Sequence, residues 1–145
     1  MRVTARSSSL LATSALMVLG ACTGARALGG DRTLACRDLA GARLVAQDGQ
    51  YLGALTSEFA RGSVLNEFGP HGSEHSDSSI WNPHGRYGSE FSPLSPHRLR
   101  APTPPRIVRG DTVLGYLSVN ARLRPRVSPQ RLRRCAFQSA VRPLG

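Results

Sequence analysis

The sequence contains no lysine, few aromatic residues and only one sustained apolar run. All 19 basic residues are arginine, the usage a GC-rich genome produces. Aromatics make up 6% of the chain, and a domain of this size buries only a modest core. The apolar run, residues 10–21, is about a dozen residues and too short to cross a bilayer stably. No second run follows it, so no transmembrane helix is expected. The chain also lacks a Cys-x-x-Cys pair, a phosphate-cradling glycine loop and a dinucleotide fingerprint, which excludes the chemistry those motifs carry. Glycine (15) and proline (10) are plentiful for 145 residues, which favours turns over long helices.

The first 21 residues have the plan of an export signal. Arg2 and Arg6 open it, the apolar run follows, and small residues precede Cys22. The sequence Leu19-Gly20-Ala21-Cys22 resembles a lipobox, the cleavage motif of bacterial lipoproteins. That resemblance implies a diacylglycerol on the Cys22 thiol, cleavage just before it, and anchorage through acyl chains worth roughly 0.8 kcal/mol per buried methylene. Thr23, following Cys22 where an aspartate is not present, implies sorting to an outer membrane if the host has one. A competing signal-peptidase site, Ala25-Arg26-Ala27, would instead release a soluble periplasmic or secreted chain beginning at Leu28. Either cut leaves Cys36 and Cys135 as a pair. An exported location permits their disulfide, with two buried thiols as the other reading.

The mature chain reads as mainly β: a lipid-anchored tether over 22–41, then one small domain over 42–145. Two hairpins are expected to form a small antiparallel sheet. The first turns at Asp48-Gly49 between the runs Arg43 to Gln47 and Gln50 to Thr56. The second turns around Gly110-Asp111, between Arg106-Ile107-Val108 and the run Val113 to Val119. Leu-Gly-x-Leu recurs in both return strands, and a glycine there predicts close approach of a backbone or a ring. Between the hairpins, over 63–97, lies a two-copy repeat of 16 residues, with a third copy that starts at Ser95 and decays. Its frame, Ser-x-x-Asn-x-x-Gly-x-x-Gly-Ser-Glu-x-Ser, is turn chemistry. Ser128 and Pro129 predict the start of a short C-terminal helix over about 129–139, with Leu132, Cys135 and Ala136 on one face.

Three segments together resemble an uncharacterised family of small exported bacterial proteins. They are Asp48-Gly49-Gln50-Tyr51-Leu52-Gly53, the Ser-Ile-x-Asn-x-x-Gly-x-Tyr-Gly-Ser unit from Ser79 to Ser89, and the run from Pro104 to Asn120. The resemblance covers residues 43–120 and implies a real domain unit. It brings no activity with it.

Several residues invite a catalytic or metal reading. His71 and His75 are four apart, the spacing of a helical metal pair, but glycine and proline oppose a helix there. Shifted by 16 residues, His71 falls on Tyr87, His75 on Phe91, His84 on Phe68 and His97 on Trp81. The slot then asks for a packing ring, not a ligand. Ser73, His75 and Asp77 have triad letters but lie two apart, too close to converge. Glu74 and Glu90 are repeat-equivalent carboxylates that could serve a hydrolase as acid and base, or could serve the turns. Asn66, Asn82 and nearby oxygens could hold calcium, though no known loop spacing is present. No catalytic or metal residue is therefore assigned and no cofactor is expected.

Charge is uneven. From Arg98 onward there are eleven arginines against one acid, Asp111, whereas residues 22–97 hold six arginines against eight acids. The expectation is an exported envelope lipoprotein with a non-catalytic structural or binding role. Its basic C-terminal third would face anionic lipid, lipopolysaccharide or a wall polymer, and nucleic acid is not expected. An envelope hydrolase and a metal- or calcium-binding envelope protein are the alternatives.

Overall fold

The computed structural model describes residues 33–135 and 137. The export segment, Cys22 and the distal part of the expected C-terminal helix lie outside the described residues. The fold is mostly β. Strands β1 (Arg43–Val45) and β2 (Tyr51–Ala54) pair antiparallel. Strands β3 (Arg106–Arg109) and β4 (Thr112–Leu117) do the same, and β1 joins β3 antiparallel. At the first turn, the Asp48 carboxylate accepts the Gln50 amide at 3.2 Å, local bonding that fixes the bend.

The sheet is mixed, which corrects the purely antiparallel expectation. A fifth strand, β5 (Arg126–Val127), lies parallel to β4 and completes the order β2-β1-β3-β4-β5. Two residues are too short to show strand periodicity, so β5 leaves no pattern in the sequence. The glycines of the return strands do sit at close approaches. A side chain at Gly53 would strike the His71 Cβ (2.7 Å) and the Val64 side chain (2.8 Å), and one at Gly115 would strike the Pro125 carbonyl (2.5 Å).

The start of the domain also moves. Residues 33–41, expected within the tether, belong to the folded unit. Leu34 N–H bonds the Arg126 carbonyl at 3.2 Å, and a short helix α1 (Cys36–Leu39) buries Leu39 completely. Cys36 is disulfide-bonded to Cys135, 99 residues on, tying the first helix to the last. The latter, α2 (Pro129–Arg133), starts as expected: the Ser128 hydroxyl accepts the Arg131 amide at 3.2 Å and Pro129 sits in the first turn. It ends well before residue 139. The amides of Arg134 and Cys135 reach back only three residues, to Arg131 and Leu132 (3.1 and 2.9 Å), and this tight turn closes the helix where the disulfide begins.

Leu44, Leu52, Ile107 and Leu117 of the sheet form one core with Leu39, Val127 and Leu132. The repeat contributes to it in step: Val64, Ile80 and Pro96, one per copy and 16 apart, are each fully buried. Burying one such aliphatic side chain contributes about 1.5–3 kcal/mol, so every copy is fastened to the sheet by its own plug.

Candidate functional site: paired clefts along the repeat

The repeat is an irregular coil with a three-residue step. Small residues recur at Ser57, Ala60, Ser63, Asn66 and Gly69, then at Ser73, Ser76, Ser79, Asn82 and Gly85, then at Ser89, Ser92 and Ser95. Backbone amides reach back three residues along this row, as in Ala60 to Ser57 (3.0 Å), Gly69 to Asn66 (2.9 Å), Gly85 to Asn82 (3.1 Å) and Ser92 to Ser89 (3.1 Å). One step per copy is four residues, Ser73 to Gly69 (3.1 Å) and Ser89 to Gly85 (3.0 Å), which brings the period to 16.

Side chains of the row replace the hydrogen bonds that a helix or ladder would supply. The hydroxyls of Ser63, Ser79 and Ser95 accept the amides of Leu65, Trp81 and His97 at 3.1 Å each. Asn66 and Asn82 accept from Phe68 and His84 at 3.0 Å and donate to the Ala60 and Ser76 carbonyls at 3.2 Å. Both carboxamides are thus engaged in the coil. Gly72 and Gly88 lie against the backbone of Asn66 and Asn82, where an added Cβ would overlap the carbonyl oxygen.

With the small row turned inward, those residues between its members that are not core plugs face outward and line several clefts, two of which meet at Trp81. The first, about 560 Å³, is lined by Phe59, Leu65 and Trp81 together with Glu58, Glu67 and Arg133. The second, about 530 Å³, is lined by Trp81, His84, His97 and Phe91 together with Glu90 and Arg133. Four lining positions of the first cleft recur one copy on in the second: Leu65, Glu67, Gly72 and Trp81 correspond to Trp81, Pro83, Gly88 and His97, whereas the one-copy equivalents of Glu58 and Phe59, Glu74 and His75, line neither. Glu58-Phe59 and Glu90-Phe91 hold the same frame position two copies apart.

Trp81 is the common wall. Its indole N–H donates to the Val64 carbonyl at 2.6 Å, and the Arg133 guanidinium from α2 stacks over its ring at 4.0 Å. His97 packs edge-on against it at 5.8 Å, with Nε2 2.9 Å from the Ile80 carbonyl. Burial holds the His97 pKa below its ordinary value; the Ile80 carbonyl opposes this and the Arg133 charge reinforces it. A neutral ring with Nε2–H as donor fits that geometry.

The other residues singled out in the sequence are dispersed. His71 packs edge-on against Tyr51 (5.0 Å), and burial lowers its pKa. Tyr87 donates to the Asp48 carboxylate at 2.9 Å, tying the repeat to the first hairpin turn; burial, followed by that hydrogen bond and charge, raises its pKa against the opposing Arg86 charge. His75 is exposed and 3.7 Å from Glu74. Ser73 accepts the His75 amide, so Ser73, His75 and Asp77 form a turn and no triad. Glu90 lines the second cleft, whereas Glu74 lines neither.

The packing-ring account of the histidine slots holds for only two of the four. His71 with Tyr87 and His97 with Trp81 are packed, but Phe68 is 99% exposed, Phe91 is 81% exposed, and His75 and His84 are exposed too. The basic third is also more structural than its sequence suggests. Arg109 donates to the Asp38 and Ala40 carbonyls, Arg98 to Phe91 and Arg126 to Ser118. Sequence reasoning missed the clefts, although the three-residue row of small residues was a readable signal for the coil that forms them. No family model, curated protein or solved structure matches this chain.

Proposed function

We propose that the chain is an exported envelope lipoprotein, anchored through Cys22, whose folded domain has a non-catalytic structural or binding role. The observation that carries the reading is the pairing of an apolar run ending at Cys22 with a Cys36–Cys135 disulfide in the domain behind it. Disulfides persist in oxidising compartments, and a lipid on Cys22 accounts for the third thiol. No helix among the described residues is long and apolar enough to cross a membrane, so attachment would fall to the lipid.

Binding is favoured over hydrolysis by the state of the carboxylates. Glu58, Glu67, Glu74 and Glu90 are all exposed. A glycosidase-type general acid needs burial or a neighbouring charge to keep it protonated near neutral pH, and an exposed carboxyl lacks the first. The exposed arginines near α2, Arg131, Arg133 and Arg134, supply a basic face for anionic lipid, lipopolysaccharide or wall polymer. Labelled palmitate is expected to enter the wild type and not Cys22→Ser. Equal labelling of the two would reject lipid anchoring and leave a soluble exported protein cut after Ala27.

A further inference from the structure

The two clefts share four repeat-equivalent lining positions, and similar sites side by side on a surface suit a ligand that repeats as well. Their walls specify its chemistry. Phe59 and Phe91 are 85% and 81% exposed, and Trp81 stands half-buried between them. Two aromatic faces are thus presented where a folded chain gains nothing by exposing them, and Trp81 adds the part of its ring that Arg133 does not cover. Glu58, Glu67 and Glu90 make no hydrogen bond or ion pair within the described residues. Their oxygens are free to accept from a ligand with hydroxyl or amide donors, at charge-assisted strength. The Arg133 guanidinium lines both clefts and none of its N–H groups has a protein acceptor among the described residues, so it offers donors to either cleft.

These groups exclude two common partners. Three carboxylates repel a polyphosphate or an anionic membrane at the clefts themselves. Purely apolar chains would leave the same carboxylates desolvated and unpaired. A sugar satisfies both halves of the wall: its C–H-rich face packs on an aromatic ring while its hydroxyls donate to carboxylates and accept from arginine.

We propose that the two clefts are successive subsites for one linear glycan strand of the cell wall, with Phe59 and Phe91 as outer platforms and Trp81–Arg133 as the divider between them. The proposal relies on the export reading only for where such a strand is met.

Trp81 is the sole tryptophan, so its fluorescence reports on both subsites at once. The test titrates the purified, oxidised full-length protein with peptidoglycan glycan strands, stripped of peptides by amidase and fractionated by length. A saturable change in Trp81 emission is expected. Strands long enough to fill both clefts should bind at least about tenfold more tightly than a disaccharide, because the second contact is intramolecular. Phe59→Ala and Phe91→Ala should each weaken binding about five- to tenfold. Both side chains are exposed, so unchanged melting temperatures will separate lost binding from lost fold. No saturable response to any strand length overturns the proposal, as does full affinity in both phenylalanine variants. A response to phosphatidylglycerol vesicles without one to strands also overturns it and makes this face a membrane contact. Palmitate labelling is read separately: labelling without strand binding removes the glycan and keeps the anchor, and strand binding without labelling does the reverse.

Discussion

Replacing both Cys36 and Cys135 with serine removes a covalent link without leaving an unpaired thiol. The bridge closes a loop between residues 99 apart, enclosing nearly all of the described domain. In the chain-entropy treatment, a crosslink over that length restricts the unfolded ensemble by about 4.7 kcal/mol at 25 °C. A domain of this size has a total stability of about 5–15 kcal/mol. The link therefore supplies a third or more of it, and the double variant should sit near its folding threshold at 37 °C. Equilibrium unfolding in guanidinium chloride of the oxidised protein and of the double variant measures the loss. About 3–5 kcal/mol is expected, together with a steeper denaturant dependence, because the unlinked chain expands further and exposes more surface. A loss below about 1 kcal/mol would refute the loop-entropy reasoning. A large loss with an unchanged slope would place the effect in native packing around the buried Cys135 instead.

Gly72→Ala and Gly88→Ala should each destabilise by about 2–4 kcal/mol, because the new methyl meets an immovable carbonyl. Gly41→Ala, which has positive φ but open space, should cost only about 1 kcal/mol, and thermal melts of the three variants will separate collision from backbone strain. His97 makes stability depend on pH. Its folded pKa lies below the ordinary 6.5, so the unfolded chain takes up the proton first as pH falls. The contribution is complete above pH 6.5 and is lost as pH falls through the folded value; melting temperatures from pH 7.5 to 4.5 should drop less in His97→Gln than in the wild type.

What could be read in advance depended on how local the signal was. The Asp48-Gly49 turn, the Ser128-Pro129 helix start and the Cys36–Cys135 pair each rest on a few adjacent residues or on simple counting. The 16-residue period is equally plain, but its cause is not, since serine, asparagine and glycine suit isolated turns as well as a row of small residues three apart. Strand β5 and helix α1, of two and four residues, are too short to impose a period; β5 exists through its contacts with Tyr116, Leu117 and Leu34, and α1 through the Cys36–Cys135 bridge, the Arg109 bond to Asp38 and buried Leu39. The clefts were least legible of all, because Glu58, Trp81 and Arg133 meet only after the coil has turned and α2 has docked on it.

The coil also sets a grammar for change. Every third residue is committed to the interior, so losing or gaining one residue between Ser57 and Ser95 rotates everything downstream and sends bulky side chains into the small row. Losing three keeps that row in phase but displaces the four-residue step and the core plug. Only whole units of 16 restore all three at once. Length variation in this segment is therefore quantised, and a lineage that gained one unit would gain one more place on the surface for whatever the surface holds.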